Sequence, residues 1–169
     1  VVAEAGVSVS AVEYHFGGRD GLIVAAQLGT LTSQMGSDVD AFAAALAQVS
    51  TAEEARAAAS MALSSFFEAH RAPSRMGEMG VFGSAVGRPE LLREIGEIYG
   101  RLIGRLAAVL AGARDRGVLN ADVDAEAVAT FVFAYTTGLF LNDISTRPVS
   151  GARMGALVDQ LLAVLFADT

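Results

Sequence analysis

The sequence contains no cysteine and no lysine, and it has only three prolines and two histidines. Without cysteine, disulfides and thiolate metal sites are excluded, which is compatible with a reducing compartment. All twelve basic residues are arginine, set against nineteen acids, for a net charge of −7. That balance argues against broad binding to nucleic acid or anionic membranes, while leaving room for a local basic patch. His15 and His70 are far apart in the chain, and Glu68 and His70 are too close in sequence to share a helix face as metal ligands would. No nucleophile–base pairing stands out, so an enzyme is not expected, and neither is a cofactor or a metal. No basic segment followed by an apolar run opens the chain, so no secretory signal is expected. The uncharged run Ala127 to Leu141 is too short, and too rich in Thr and Ala, for a membrane span. The expected setting is soluble and cytoplasmic, with no membrane partner.

What the sequence does have is apolar mass. Over 169 residues, 53% are hydrophobic, enough for one domain, or one domain and a small appendage, to bury a core unaided. No stretch shows strand alternation, and Pro73, Pro89 and Pro148 fall at plausible helix boundaries, so an all-helical protein is expected. Val1 to Ala5 reads as a helix end stopped by Gly6. Ser8 or Ser10 then caps a short helix to about Phe16, which Gly17-Gly18 breaks. A long helix begins near Arg19 or Asp20 and runs to about Val49, with Leu22, Ile23, Ala26, Leu31 and Met35 on its apolar side and possible bends at Gly29 or Gly36. Ser50-Thr51-Ala52-Glu53-Glu54 marks the start of a helix reaching about His70. Residues 72–74 break it, and a shorter helix follows from Arg75 to Val86. Pro89 opens the next helix, to about 114, with apolar residues from Leu91 to Leu110 at intervals of three and four. Asp122 or Asp124 caps a helix over 125–144 that is apolar nearly all round and hence expected to be buried on two sides. A last helix spans about 152–167.

The segment Val7 to Leu22, VSVSAVEYHFGGRDGL, carries the clearest chemistry. Two short helices joined by Gly6-Val7-Ser8 have the form of a helix-turn-helix: Gly permits the turn, Val7 plugs the gap, and Ser starts the second helix. In such a unit the second helix enters the DNA major groove. Small residues at its start (Ser8, Val9, Ser10, Ala11) let the backbone approach base edges. Tyr14 and His15 can hydrogen-bond to phosphate, Arg19 can pair with it, and the following helix N-terminus offers backbone donors. An ordinary helical hairpin is the alternative reading of this spacing.

The stretch resembles the head of the TetR family of transcriptional regulators. The match falls on Ala5-Gly6-Val7-Ser8, Val12, Tyr14-His15-Phe16, Gly18-Arg19-Asp20 and Leu22, and so covers only about the first 22 residues. Glu13 departs from it, standing where many members carry an aromatic that touches phosphate. The resemblance implies a partial DNA-binding domain at 1–22 and a helical-bundle ligand-binding and dimerisation domain at 23–169. It also implies a further helix ahead of this motif, so residues are expected to precede Val1, and DNA binding by these 169 residues alone should be poor.

The implied function is ligand-responsive regulation: a homodimeric repressor that releases a palindromic double-stranded DNA operator when a small apolar molecule enters its pocket. Bulky groups on the later helices supply candidate pocket residues: Phe66, Phe67, His70, Met76, Met79, Phe82, Ile103, Phe131 and Tyr135, with Tyr135 and His70 as polar anchors. Simple core packing is the competing reading for each of them, and a C-terminal cap for His70. Ala134, Gly138 and Leu141 form a small face on the 125–144 helix, and Leu157, Leu161 and Leu165 extend it on the last helix. Packed on a second copy they would make a four-helix dimer interface, the alternative being that both helices are buried within one subunit. A helical binding module for a small molecule or protein, without DNA binding, is the alternative to the regulator.

Overall fold

The computed structural model describes Gly6 and residues 8–166, apart from the side chain of Leu31. The expected helix end at Val1–Ala5 and the plug at Val7 lie outside the described residues. Among those described there is no strand, and the fold is all-α.

Local capping chemistry sets the starts of three of the helices. Helix α1 spans Val9–Phe16, and its cap is Ser8, whose Oγ accepts from the Ala11 amide at 3.1 Å. Gly17 closes it in the left-handed region, at φ 66°, where a side chain would be strained. Helix α2, Arg19–Ala47, starts two residues later and runs as one element through Gly29 and Gly36. The tight corner depends on Gly21, where an added Cβ would lie 1.7 Å from the Phe16 carbonyl oxygen. Helix α3, Ala52–Ser65, has a full capping box, Thr51 and Glu54 each bonding the other's backbone, a reciprocal arrangement that satisfies two orphan amides. Amide donors from Ser50 and Thr51 hold the Glu54 carboxyl below its usual range. Asp124, rather than Asp122, caps helix α6, Ala125–Gly138, by accepting from the amides of Glu126 and Ala127.

Helix ends depart further from expectation. Helix α3 stops at Ser65, well short of His70, and Phe66 and Phe67 lie in the turn beyond it. A 3₁₀ turn, Ala69–Arg71, leads straight into α4, Ala72–Ala85. Pro73 therefore sits in the first turn of a helix instead of ending one; its missing N–H is no loss there. Helix α5 is Pro89–Asp115. The expected helix over 125–144 is divided: α6 ends at Gly138, and α7 is a single turn, Phe140–Asp143. Asn142 then pins the following loop, donating to the Val149 carbonyl at 3.0 Å and accepting from its amide at 2.8 Å. Helix α8 spans Gly151–Leu165.

Helix α5 is the centre of the packing. Its stripe of Ile95, Ile98, Leu102, Leu106 and Leu110 is buried and packs against α2, α4 and α6. Each such side chain contributes about 1.5–3 kcal/mol of apolar transfer. The inner face of α2 is Val24, Leu28, Val39 and Leu46, with Met35 and Phe42 packed beside it. Of the side chains expected on that face, Ile23 and Ala26 are exposed, one or two positions out of register with the buried row. Helix α8 lies on α3 and α6 on α5. Within the single subunit, helix α6 is therefore buried on one side: Ala125, Ala129, Phe133 and Thr136 point inward, and Phe131 is 56% exposed.

Candidate functional site

At the N-terminal end, α1 presents a polar and aromatic surface. Ser8, Val9, Ser10, Tyr14, His15 and Arg19 are exposed, and Ala11 is half-buried. Val12 faces α2 and holds the helix in place. Tyr14 is 86% exposed and meets the His15 ring edge-on at 5.0 Å. The Glu13 carboxylate lies against Gly18, its Oε2 3.3 Å from the position a Cβ there would take. The acid is thus folded back over the turn instead of projecting with Tyr14.

The second feature is an apolar cleft of about 130 Å³ between α2, α3, α5, α6 and α8. Phe66, Phe131 and Tyr135 line it, as do Met35, Val39 and Phe42 of α2 and Leu106 and Leu110 of α5. Phe131 and Tyr135 stack nearly parallel at 6.1 Å, and Phe67 meets Tyr135 edge-on at the same distance. The Tyr135 hydroxyl is buried with no hydrogen-bond partner, and burial raises its pKa. A buried hydroxyl without a partner is costly, which makes it a candidate anchor for a bound polar atom.

The other candidates for this pocket are elsewhere. His70 is exposed on the 3₁₀ turn, 3.1 Å from Glu68. Met76 is 47% exposed, and Met79 also lies outside the cleft. The reason is the register of α4: its inner positions are Arg75, Glu78, Val81 and Ala85, so the methionines fall one place off. Phe82 packs on Tyr99 at 5.7 Å. Ile103 packs against the core rather than the cleft.

Polar groups gather at one side of the cleft in a small annex of about 40 Å³, which shares Met35, Asp38, Phe66 and Thr136 with it. Arg71 grips Asp38 through both terminal nitrogens, at 2.7 and 2.9 Å, and lies over the Phe66 ring at 4.8 Å. The hydrogen bond to Asp38 raises the Arg71 pKa further. Arg75, only 8% exposed, binds Asp143 through Nε at 2.6 Å and Nη2 at 2.8 Å, and donates from Nη1 to the Phe66 carbonyl. That contact holds the Asp143 carboxyl below its usual range. Glu78, 4% exposed, accepts from Thr137 at 2.8 Å and from the Tyr99 hydroxyl. Burial raises its pKa, while the two hydroxyl donors oppose that. Hydropathy gives no hint that these charged residues face inward. Their spacing of three or four along α4 places them on one face, but only the packing makes that face the inner one.

The third feature is an open apolar face. Ala134, Gly138, Leu141, Leu157 and Leu161 are exposed in the single subunit, and Leu165 is half-buried. Leu161 and Leu165 also line the cleft, so this face and the cleft meet at α8. Among the described residues, no helix is long and apolar enough to cross a membrane, and no cluster of three or more His, Asp or Glu is placed to hold a metal.

Comparison with known proteins bears on this arrangement. Residues 78–167, just over half of the chain, match the family described as BetI-type transcriptional repressor, C-terminal. The chain belongs to the TetR family. The solved structures of similar fold include the ketosteroid transcriptional regulator KstR2 of Mycobacterium tuberculosis (14% identity, TM-score 0.59, covering 99% of this chain and 83% of that one). A tetR-family regulatory protein from Rhodococcus RHA1 has 18% identity and a TM-score of 0.62, with 99% and 85% covered. A transcriptional regulator from Saccharomonospora viridis, solved with choline, has 19% identity and a TM-score of 0.62 over the same shares. At these identities the likeness is one of fold. No curated protein sequence gave a significant match. As a TetR-family chain, the protein is a transcriptional regulator.

Proposed function

We propose that this TetR-family chain is a homodimeric repressor, and that a small, mainly apolar molecule entering the cleft releases it from a palindromic operator. The observation that carries the reading is the continuity of α2. One helix holds the α1 corner at its N-terminus and places Met35, Val39 and Phe42 in the cleft wall. Between Arg19 and Met35 lie about 24 Å of helix at 1.5 Å per residue. A tilt imposed at the cleft therefore moves α1 as a lever. A ligand acts only if it binds one tilt better than the other.

Ser8, Val9, Ser10 and Ala11 are the proposed base-reading residues, and Tyr14, His15 and Arg19 the phosphate contacts. Phe66, Phe131 and Tyr135 are the proposed ligand contacts, with the partnerless Tyr135 hydroxyl supporting a hydrogen bond to the ligand. The dimer would form through Ala134, Gly138, Leu141, Leu157 and Leu161. The neighbours with a ketosteroid and a choline in their descriptions support a small organic effector. In a gel-shift titration, the full-length protein is expected to bind DNA flanking its own gene, with affinity falling steeply as salt rises. Absence of binding, or binding indifferent to salt, would leave a sensing module that does not touch DNA.

A further inference from the structure

Glu78 stands apart from the other charged groups in the core. Arg71 and Arg75 are each matched by a carboxylate, through two nitrogens in each case. The third Arg75 nitrogen is taken by the Phe66 carbonyl. Glu78 is buried as deeply, yet no arginine or histidine among the described residues forms an ion pair with it. Its two hydrogen bonds, from Tyr99 and Thr137, both fall on Oε1, and none reaches Oε2. Burying a carboxylate without a cation is costly, and the raised pKa of Glu78 has this origin. The residue lines the annex that shares four side chains with the apolar cleft. A group entering the annex from the cleft meets a carboxylate lacking a counter-ion and guanidinium groups already committed.

We propose that the ligand is an amphiphile: an apolar body filling the cleft and a hydrogen-bonding ammonium head in the annex, donating to Oε2 of Glu78. The inference rests on the reading of the cleft as the ligand site. An ammonium supplies three donors, and Asp38 and the Thr136 hydroxyl oxygen are further acceptors on the same wall. The annex, about 40 Å³, has room for about three water molecules. That suits a compact ammonium better than a trimethylated one, which also has no N–H to donate. An anionic head would have to displace Asp38 or Asp143 from its arginine.

Isothermal titration of the full-length protein with octylamine, octyltrimethylammonium, 1-octanol and octanoate tests this. Octylamine is expected to bind about tenfold more tightly than 1-octanol, the scale of one charge-assisted hydrogen bond, with octyltrimethylammonium and octanoate weaker than octylamine. Glu78→Gln is expected to remove about that tenfold advantage and to leave 1-octanol within about threefold of its wild-type affinity. Equal or tighter binding of 1-octanol, octanoate or octyltrimethylammonium overturns the head-group assignment while leaving the cleft as a ligand site. So does a folded Glu78→Gln protein that binds octylamine as the wild type does. If the variant does not fold, the ranking of heads on the wild type decides. Binding of none of the four overturns the cleft reading, and the head-group assignment with it.

Discussion

Replacing Asp143 by Asn should destabilise the protein well beyond a surface charge change. Asp143 belongs to α7, the short turn after the α6 break, and its carboxylate is the partner of Arg75 on α4. The Arg75 side chain is 9% exposed and that of Asp143 18%, so solvent screens the pair only partly. Two unit charges about 4 Å apart, at an effective dielectric near 20, attract by about 4 kcal/mol. The Asn oxygen can still accept one of the two hydrogen bonds, recovering about 1 kcal/mol. The net expectation is a loss of about 2–3 kcal/mol, most of it the cost of leaving a buried guanidinium without its counter-charge. For a chain of this size that corresponds to a fall in Tm of roughly 5–10 °C. Thermal and urea unfolding at fixed protein concentration measure it. The pH dependence gives a second check. The Asp143 carboxyl has a folded-state pKa below its ordinary value of 3.8. Its stabilisation is therefore complete above about pH 5 and is lost as pH falls through the folded pKa. Asp143→Asn should lack that part of the acid slope. Arg75→Met with Asp143→Leu should cost less than Asp143→Leu alone, since no buried guanidinium is then left without its counter-charge. A single-variant cost under about 0.5 kcal/mol, or coupling of that size in the double-mutant cycle, would refute the argument.

Two further outcomes follow from the geometry. Gly21→Ala pushes a Cβ into the Phe16 carbonyl; neither group is a flexible side-chain end, so α1 must shift on α2. Operator affinity in a gel shift should fall at least about tenfold, while ligand binding in the cleft stays near wild type, because α1 packs on α2 away from it. Gly138→Arg places a long charged side chain on the proposed dimer face. Sedimentation velocity should show a monomer that keeps its helical circular dichroism, and a dimer of unchanged affinity would rule that face out.

The starts of α1, α3 and α6 were legible from the sequence, since an N-cap involves only a hydroxyl or carboxylate and amides two or three residues on, whereas the uncapped α4 begins at Ala72 rather than Arg75. Thr51 and the turn at Gly17-Gly18 follow from such local chemistry, and Asp124 was one of two local options. The apolar stripe of α5 was equally plain, because leucines and isoleucines at intervals of three and four have one way to be buried. The α1 surface could be read too, since an exposed Tyr14-His15 pair beside small polar residues serves no core. Tertiary packing decided the rest. It ended α3 at Ser65 and divided the 125–144 helix at Gly138, where contacts with other helices and the Asn142–Val149 tie outweigh propensity. It also turned Arg75 and Glu78 inward on α4 and sent Met76 outward. Hydropathy would assign the opposite, but a charged residue is stable inside once its partners arrive from other elements: Asp143 from α7, Tyr99 from α5 and Thr137 from α6. Those partners lie 21 to 68 residues away in the chain. No local pattern encodes that meeting, and so the cleft and its annex exist only in the folded protein.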